Sequence, residues 1–171
     1  MPAVRISHVH ECSEDTFWQL FFDDEYNRQL FGDALRFPHF EQLEFDETET
    51  EIRRVVSATP SVGELPAALK KLVGDGITYE ERGVFDKRKK RFSINIISSK
   101  LPDRITVRGT LYTEAISEIR SRRVFDGTVE ARVFGVGGLL EKRLIADLEA
   151  RYADSARFTN QYLRDQSPGE G

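Results

Sequence analysis

A histidine and a glutamate occupy positions from which they could form an acid/base pair. His39 lies two residues after Phe37 in one predicted strand, and Glu81 lies two residues after Tyr79 in another. Since alternate residues of a strand share a face, both polar side chains are predicted to enter an apolar interior, where burial raises the pKa of a carboxyl group. A register shift by one residue would direct either side chain to solvent, and each could also be a structural polar group with its own partners. These non-catalytic roles are the favoured interpretation, and the acid/base pair is the alternative.

Two further histidines, His8 and His10, share one face of the first predicted strand. Imidazoles at this spacing can bind one metal ion, but a third ligand would have to come from elsewhere, such as His39 or Glu41, and no metal-binding motif is present. Cys12 is the only cysteine, which excludes an internal disulfide and a thiolate zinc site. The favoured interpretation is that the two histidines are ordinary polar residues, and no metal is predicted.

The stretch FGVGGLLEKRL, residues 134–144, is rich in glycine and lies between a predicted strand and a predicted helix. Aligned on Gly135 and Gly137, the fingerprint G-x-G-x-x-G requires a third glycine at a position that holds leucine, and the G-K-[ST] of a P-loop is absent. We therefore predict neither nucleotide binding nor another cofactor. Small residues here, including Gly138, would instead let the helix begin close to the sheet, and Glu141 would interact with the helix dipole.

The overall composition is that of an ordinary globular protein without a nucleic-acid signature. The 171 residues carry a net charge of −4, so no general attraction to nucleic acid is expected. No apolar run approaches the roughly 20 residues of a membrane span, and the N-terminal stretch lacks the apolar region of a secretory signal. These features predict a cytoplasmic protein. The length fits one domain, residues 1–164, followed by a disordered tail, residues 165–171.

The hydrophobic pattern predicts the order strand, two short helices, six strands and one long helix. Consecutive strands with short connections favour an antiparallel sheet, and only the long helix, from Gly138 to about Leu163, is large enough to cover it. The last strand, from about Ser117 to Val133, is so long that a bend or bulge is expected at Asp126–Gly127.

This order of elements, with the closing stretch FDGTVEARVFGVGGLLEKRLIADLEARYADSARFTNQYL, resembles the START-like, or helix-grip, superfamily of polyketide cyclases and lipid-transfer proteins. More narrowly, the sequence is similar to a bacterial branch catalogued as a domain of unknown function. The matching positions are Gly135, Gly137, Gly138 and Glu141, while Phe134 stands where the branch often has proline. The resemblance implies an α+β helix-grip fold: a curved antiparallel sheet of about seven strands around a long C-terminal helix, with two short helices after the first strand.

The resemblance also implies a cavity between the sheet and the long helix, which superfamily members use for apolar molecules, as carriers or as enzymes. The leading hypothesis is therefore binding or transport of a lipid-like hydrophobic small molecule. An enzyme of the cyclase or hydrolase type that uses His39 and Glu81, and a protein-interaction module without ligand, are the alternatives. The predicted pocket residues are Phe37, His39, Leu43, Tyr79, Glu81, Phe85, Ile94, Leu111, Leu140, Leu144, Leu148 and Tyr152.

Five consecutive basic residues stand at the predicted tip of a hairpin. They are Lys87, Arg88, Lys89, Lys90 and Arg91. A solvated turn is the favoured interpretation. The alternative is contact with an anionic membrane, to which each base would contribute about 1 kcal/mol near the surface. In that case the short predicted helix between Leu65 and Val73 could serve as a mobile lid; the alternative, favoured at least equally, is a connector packed on the sheet.

Overall fold

A seven-stranded antiparallel sheet and a long C-terminal helix dominate the computed structural model, which describes residues 2–166. The strands are β1 (Ala3–His10), β2 (His39–Glu47), β3 (Glu51–Thr59), β4 (Tyr79–Asp86), β5 (Arg91–Ser98), β6 (Ile105–Ser117) and β7 (Arg120–Ala131). The helices are α1 (Glu14–Phe21), α2 (Asp24–Arg28), α3 (Ala67–Val73) and α4 (Gly137–Asp165), and a π-helical segment (Gln29–Ala34) continues α2.

The strands lie in the order β1-β7-β6-β5-β4-β3-β2, and every neighbouring pair is antiparallel. Strands β2 to β7 therefore follow one another along the chain, and only β1 crosses to pair with β7. This arrangement confirms the predicted α+β helix-grip fold, with its curved sheet, long terminal helix and two short helices after β1. Within residues 2–166, no helix combines the length and the apolar character needed to cross a bilayer.

The two short helices begin at side chains that cap them. The hydroxyl oxygen of Ser13 accepts a hydrogen bond from the backbone N–H of Thr16 at 3.2 Å, at the start of α1. A carboxylate oxygen of Asp23 accepts one from the N–H of Tyr26 at 2.9 Å, at the start of α2. Each cap satisfies a helix N–H that has no partner inside the helix. Asp23 and Asp24, which follow α1 in the sequence, therefore begin helix α2.

The inner face of the sheet contains glycines where large rings need room. A Cβ atom on Gly83 would lie 1.9 Å from the ring of Phe92, and one on Gly127 would lie 2.2 Å from the carbonyl oxygen of Arg108. Of the bend or bulge expected at Asp126–Gly127, the bulge is absent, because Gly127 pairs with a second glycine on β6 in an unbroken register. Two facing glycines let the backbones approach closely without an inserted residue.

Strand β2 departs from the predicted alternation. It begins at His39, and its register shifts between Gln42 and Glu44, so that the intervening Leu43 is 48% exposed. An extra residue in one strand reverses the faces of the residues that follow it. The prediction that Leu43 points inward with Phe37 is therefore wrong, whereas Phe37 itself precedes the strand and is buried.

The start of α4 lies directly against the end of β7. A Cβ atom on Gly137 would lie 2.5 Å from the carbonyl oxygen of Ala131, whereas one on Gly138 would meet nothing within 4 Å. Close docking therefore depends on Gly137 and not on Gly138. The carboxylate of Glu141 accepts a hydrogen bond from the N–H of Ala131 at 2.8 Å, so its role is to join helix and strand.

Helix α4 extends slightly beyond the boundary predicted for the domain. It ends at Asp165, and Gln166 follows as its C-cap. These two residues open the stretch predicted as a disordered tail, and the rest of that stretch, residues 167–171, lies outside the described residues.

Candidate functional site

A cavity of about 210 Å³ lies between the sheet and α4. The sheet and the segment before β2 contribute Phe37, Tyr79, Glu81, Ile94 and Leu111 to its wall. Helix α4 contributes Leu140, Leu144, Leu148 and Tyr152. All of these side chains belong to the pocket predicted from the sequence. Further apolar side chains come from α1, the π-helical segment and α3, among them Phe17, Phe21, Leu30, Phe31 and Leu69.

Three residues predicted for the pocket lie elsewhere. His39 is exposed on β2, with its Nε2 atom 3.2 Å from the hydroxyl oxygen of Ser57. Leu43 is exposed at the bulge of β2. Phe85 is buried, but it packs in the core against Trp18, with 4.4 Å between ring centroids, and does not reach the cavity wall. The structure therefore does not bring His39 together with Glu81, and the predicted acid/base pair does not form.

Glu81 instead forms an ion pair with a buried arginine. The Nη2 atom of Arg54 donates to a carboxylate oxygen of Glu81 at 2.8 Å, and Arg54 is 3% exposed. The guanidinium also donates to the backbone carbonyl oxygen of Phe21 at 3.2 Å, and its carbon atom lies 4.5 Å from the centre of the Phe21 ring. Arg54 was not predicted as a site residue, although it alternates in phase with the apolar residues Ile52 and Val56.

Two tyrosines place neutral phenol groups beside this ion pair. Burial raises the pKa of Tyr79, and the charge of Glu81 raises it further. Burial likewise raises the pKa of Tyr152, against the opposing effect of the nearby Arg123 guanidinium. Neither hydroxyl group forms a hydrogen bond with another residue of the range 2–166. Both phenols are therefore protonated at neutral pH and are able to donate a hydrogen bond to a bound molecule.

A second buried arginine, Arg123 on β7, lies on the wall of the cavity and is 4% exposed. It donates hydrogen bonds to the hydroxyl oxygen of Ser155 at 3.2 Å and to the backbone carbonyl of Tyr152 at 3.0 Å, and its Nη2 atom lies 3.3 Å from Nδ1 of His8. The guanidinium carbon lies 4.7 Å from the centre of the Tyr152 ring. This arginine was also missed by the sequence prediction.

The histidines of β1 do not form a metal site. His8 contacts Arg123, and its pKa is lowered by burial and by the charge of that arginine. His10 is fully buried and stacks on Phe17, with 4.9 Å between ring centroids, and burial lowers its pKa to about 3. Within residues 2–166, no group of three His, Cys, Asp or Glu side chains is arranged to hold a metal ion. Both histidines are therefore neutral parts of the packing around Arg123.

The segment between β3 and β4, which contains α3, covers one side of the cavity. Leu69 and Val73 of α3 are buried and lie on the cavity wall. Arg143 of α4 donates to the backbone carbonyl of Glu64 at 3.1 Å, and the Lys100 ammonium donates to the backbone carbonyls of Val73 and Gly76. Ser61 also donates to the backbone carbonyl of Arg36, and the N–H of Thr78 donates to the hydroxyl oxygen of Ser99 at 3.2 Å. Polar contacts at both ends therefore attach the segment to the rest of the protein, and a mobile lid stays a prediction.

Four of the five basic residues, Lys87 to Lys90, form the turn between β4 and β5, and Arg91 begins β5, so the basic stretch lies at the tip of a hairpin as predicted. Lys87 pairs with Glu47 at 2.7 Å, and Lys90 pairs with Asp15 at 2.9 Å. Arg91 lies over the ring of Tyr112, at 4.6 Å from its centre. Arg88 and Lys89 are exposed, and neither forms an ion pair within the described residues. Two of the five positive charges at this tip are therefore paired within the protein, and contact with a membrane stays a prediction.

Comparison with known proteins identifies relatives of the whole fold. A family model described as a protein of unknown function, DUF2505, matches residues 5–163. No curated protein matches the sequence at a significant level. The family match agrees with the resemblance inferred from the sequence.

Similar solved structures have low sequence identity and cover almost the whole chain. TTHA0849 from Thermus thermophilus has a TM-score of 0.70 and 18% identity, covering 97% of this chain and 99% of that one. The Zhui aromatase/cyclase from Streptomyces sp. R1128 has a TM-score of 0.68 and 13% identity, covering 99% and 98%. A START superfamily protein from Mycobacterium smegmatis has a TM-score of 0.61 and 10% identity, covering 96% and 99%. At such identities the likeness shows the shared fold alone.

Proposed function

Because the chain belongs to the DUF2505 family, whose description assigns no activity, we propose a function from the cavity itself: binding of a small hydrophobic molecule between the sheet and α4. The observation that carries this proposal is a cavity with a mainly apolar wall that includes a few polar side chains. Binding sites for small molecules commonly have this character.

The dimensions and composition of the wall favour a small ligand that contains a ring. Pockets for drug-sized ligands commonly enclose about 300–1,000 Å³, and this cavity, at about 210 Å³, is smaller. Aromatic side chains surround it, including Phe17, Phe37, Phe125 and Tyr152. Aromatic rings gain from offset or edge-to-face contact with one another in addition to the area they bury. A compact aromatic molecule therefore suits the site better than a sterol.

Binding without chemical conversion is proposed because the predicted catalytic pair is not assembled. His39 is exposed outside the cavity, and Glu81 is held by Arg54. One similar structure is an aromatase/cyclase and another a START superfamily protein, so the fold accommodates more than one function. The presence of a cavity also favours ligand binding over an interaction module without ligand. Delivery of the ligand to a membrane would require the basic tip and stays a separate prediction.

Native mass spectrometry of the purified chain mixed with a neutral aromatic ketone, 2-acetylnaphthalene, tests the proposal. We expect one ketone molecule bound per chain, released unchanged when the complex is denatured. Release of a chemically altered product would show an enzyme instead, and a chain that binds no ketone at millimolar concentration would contradict the proposed function.

A further inference from the structure

The cavity wall carries an excess of positive charge. Four arginines line it, Arg54, Arg123, Arg143 and Arg151, together with two carboxylates, Glu81 and Asp147. The wall therefore has a net charge of +2 in a protein whose sequence has a net charge of −4. Arg54 and Arg123 are buried, in a region of low dielectric constant where charges interact more strongly than they do in water. The side chains of Arg143, Arg151 and Asp147 are 24–26% exposed.

Three of the four arginines have an acidic partner. Arg54 pairs with Glu81 at 2.8 Å. Asp147 lies 3.1 Å from Arg143 and 3.8 Å from Arg151. Arg123 has no carboxylate within salt-bridge distance among residues 2–166, and its hydrogen-bond partners are a hydroxyl group, a backbone carbonyl and an imidazole nitrogen. The most deeply placed positive charge without compensation is therefore that of Arg123.

A purely structural role explains only part of this arrangement. The bonds from Arg123 to Ser155 and to the carbonyl of Tyr152 attach β7 to α4. However, a guanidinium has five N–H donors, and these contacts leave some of them free. Burying a charge without an opposite charge is costly, and a neutral side chain could join the same two elements at a lower cost.

We propose that the ligand of this cavity is an aromatic or otherwise apolar acid, whose carboxylate binds Arg123. This inference rests on the proposed function and specifies the chemical class of the ligand. The planar guanidinium matches a carboxylate, which accepts two parallel hydrogen bonds from it. The phenol of Tyr152 lies against the same guanidinium and is a further donor for the carboxylate. The apolar part of the acid then extends toward Phe125 and Leu148.

The surroundings of Arg123 support an anion and do not compete with it. His8 and His10 lie nearby as neutral rings, so they contribute no charge of their own. Glu81, the carboxylate whose charge acts on the Tyr152 phenol, is already bound by Arg54. A ligand carboxylate at Arg123 would therefore meet one uncompensated positive charge and little repulsion.

Isothermal titration calorimetry with two ligands of nearly equal shape tests the proposal. The acid is 2-naphthoate, and the neutral control is 2-acetylnaphthalene. Since hydrogen bonds to charged groups contribute about 1.5–3 kcal/mol, we expect the wild-type protein to bind the acid at least tenfold more tightly than the ketone. Equal dissociation constants would overturn the inference and leave the proposed function intact, whereas failure of both ligands to bind would overturn the proposed function.

Variants locate the preference within the cavity. In Arg123→Met the dissociation constants of the acid and the ketone should become about equal, while the ketone still binds. Arg123→Lys should retain part of the preference for the acid. The matched control is Arg157→Met, since Arg157 is exposed on α4 outside the cavity wall, and it should leave both dissociation constants unchanged. If Arg123→Met keeps the full preference, or if only Arg151→Met abolishes it, the proposed position of the carboxylate is wrong. If Arg123→Met does not fold, the proposal is still tested by Arg123→Lys and by the comparison of 2-naphthoate with 2-acetylnaphthalene on the wild-type protein.

Discussion

Replacement of His10 by phenylalanine should make the protein less sensitive to mild acid. His10 is fully buried and stacks on Phe17, and neither ring nitrogen has a hydrogen-bond partner among the described residues. Phenylalanine has a similar shape and can keep the stacking contact. Since no hydrogen bond of the ring is lost, we expect His10→Phe to be at least as stable as the wild type at pH 7.

The magnitude follows from the difference between the two pKa values of His10. Burial lowers its pKa to about 3 in the folded chain, whereas an unfolded chain has the ordinary value of about 6.5. As the pH falls below 6.5, the unfolded state binds a proton that the folded state does not bind until about pH 3. The contribution of neutral His10 to the free energy of unfolding is therefore fully present above about pH 6.5. It is lost on acidification, by about 2 kcal/mol between pH 7 and pH 5. His8, whose pKa is also lowered, adds a loss in the same direction.

Urea denaturation at pH 7 and pH 5, followed by the fluorescence of Trp18, measures this effect. Trp18 is the only tryptophan and is buried, so its emission reports unfolding. The free energy of unfolding of His10→Phe should fall by about 2 kcal/mol less than that of the wild type between the two pH values. The exposed histidine offers a control, since His39→Gln should behave like the wild type. Equal losses in His10→Phe and wild type would refute the assignment of His10 as a buried neutral histidine.

Two further predictions concern the helix start and the basic tip. Gly137→Ala should lower the free energy of unfolding by about 1–3 kcal/mol in the same denaturation assay, because its Cβ would lie 2.5 Å from the carbonyl oxygen of Ala131. Gly138→Ala is the control and should change the free energy of unfolding little, since a Cβ there meets open space. Equal effects of the two substitutions would contradict the docking role of Gly137. At the tip, the double variant Arg88→Ser and Lys89→Ser should reduce sedimentation with anionic liposomes at low salt without changing the melting temperature. A wild-type protein that never sediments with such liposomes would leave only the solvated turn.

The sequence was sufficient to predict the fold because the relevant signals are local or periodic. The apolar stripe of α4 and the regular alternation from β3 to β7 indicate the elements, and antiparallel order follows from their short connections. Even so, β2 was assigned the wrong face near Leu43, since a bulge in an edge strand depends on pairing and leaves no periodic signal. His39 lies outside the site for a different reason: β2 begins at His39, so Phe37 precedes the strand and the two residues do not follow one strand alternation.

The polar part of the site required knowledge of strand register. Arg54 could have been suspected because it alternates with apolar residues, but its partner Glu81 lies diagonally across β3 and β4, and only the register brings the two together. Arg123 is similar, because its contacts with Ser155 and Tyr152 come from a helix that follows about thirty residues later. Basic residues in a strand are ordinarily taken as exposed, so burial of these two could not be inferred from composition.

The most direct test of the central claim is whether the space beside α4 is the binding site. Leu144 lies on the cavity wall, whereas Leu139, in the first turn of the same helix, is 43% exposed and lies outside it. Calorimetric titration with 2-acetylnaphthalene should show binding to the wild type and to Leu139→Trp, and at least tenfold weaker binding to Leu144→Trp, because the indole would occupy the cavity. Circular dichroism verifies that both variants are folded. Undiminished binding by a folded Leu144→Trp protein would contradict the proposed cavity site.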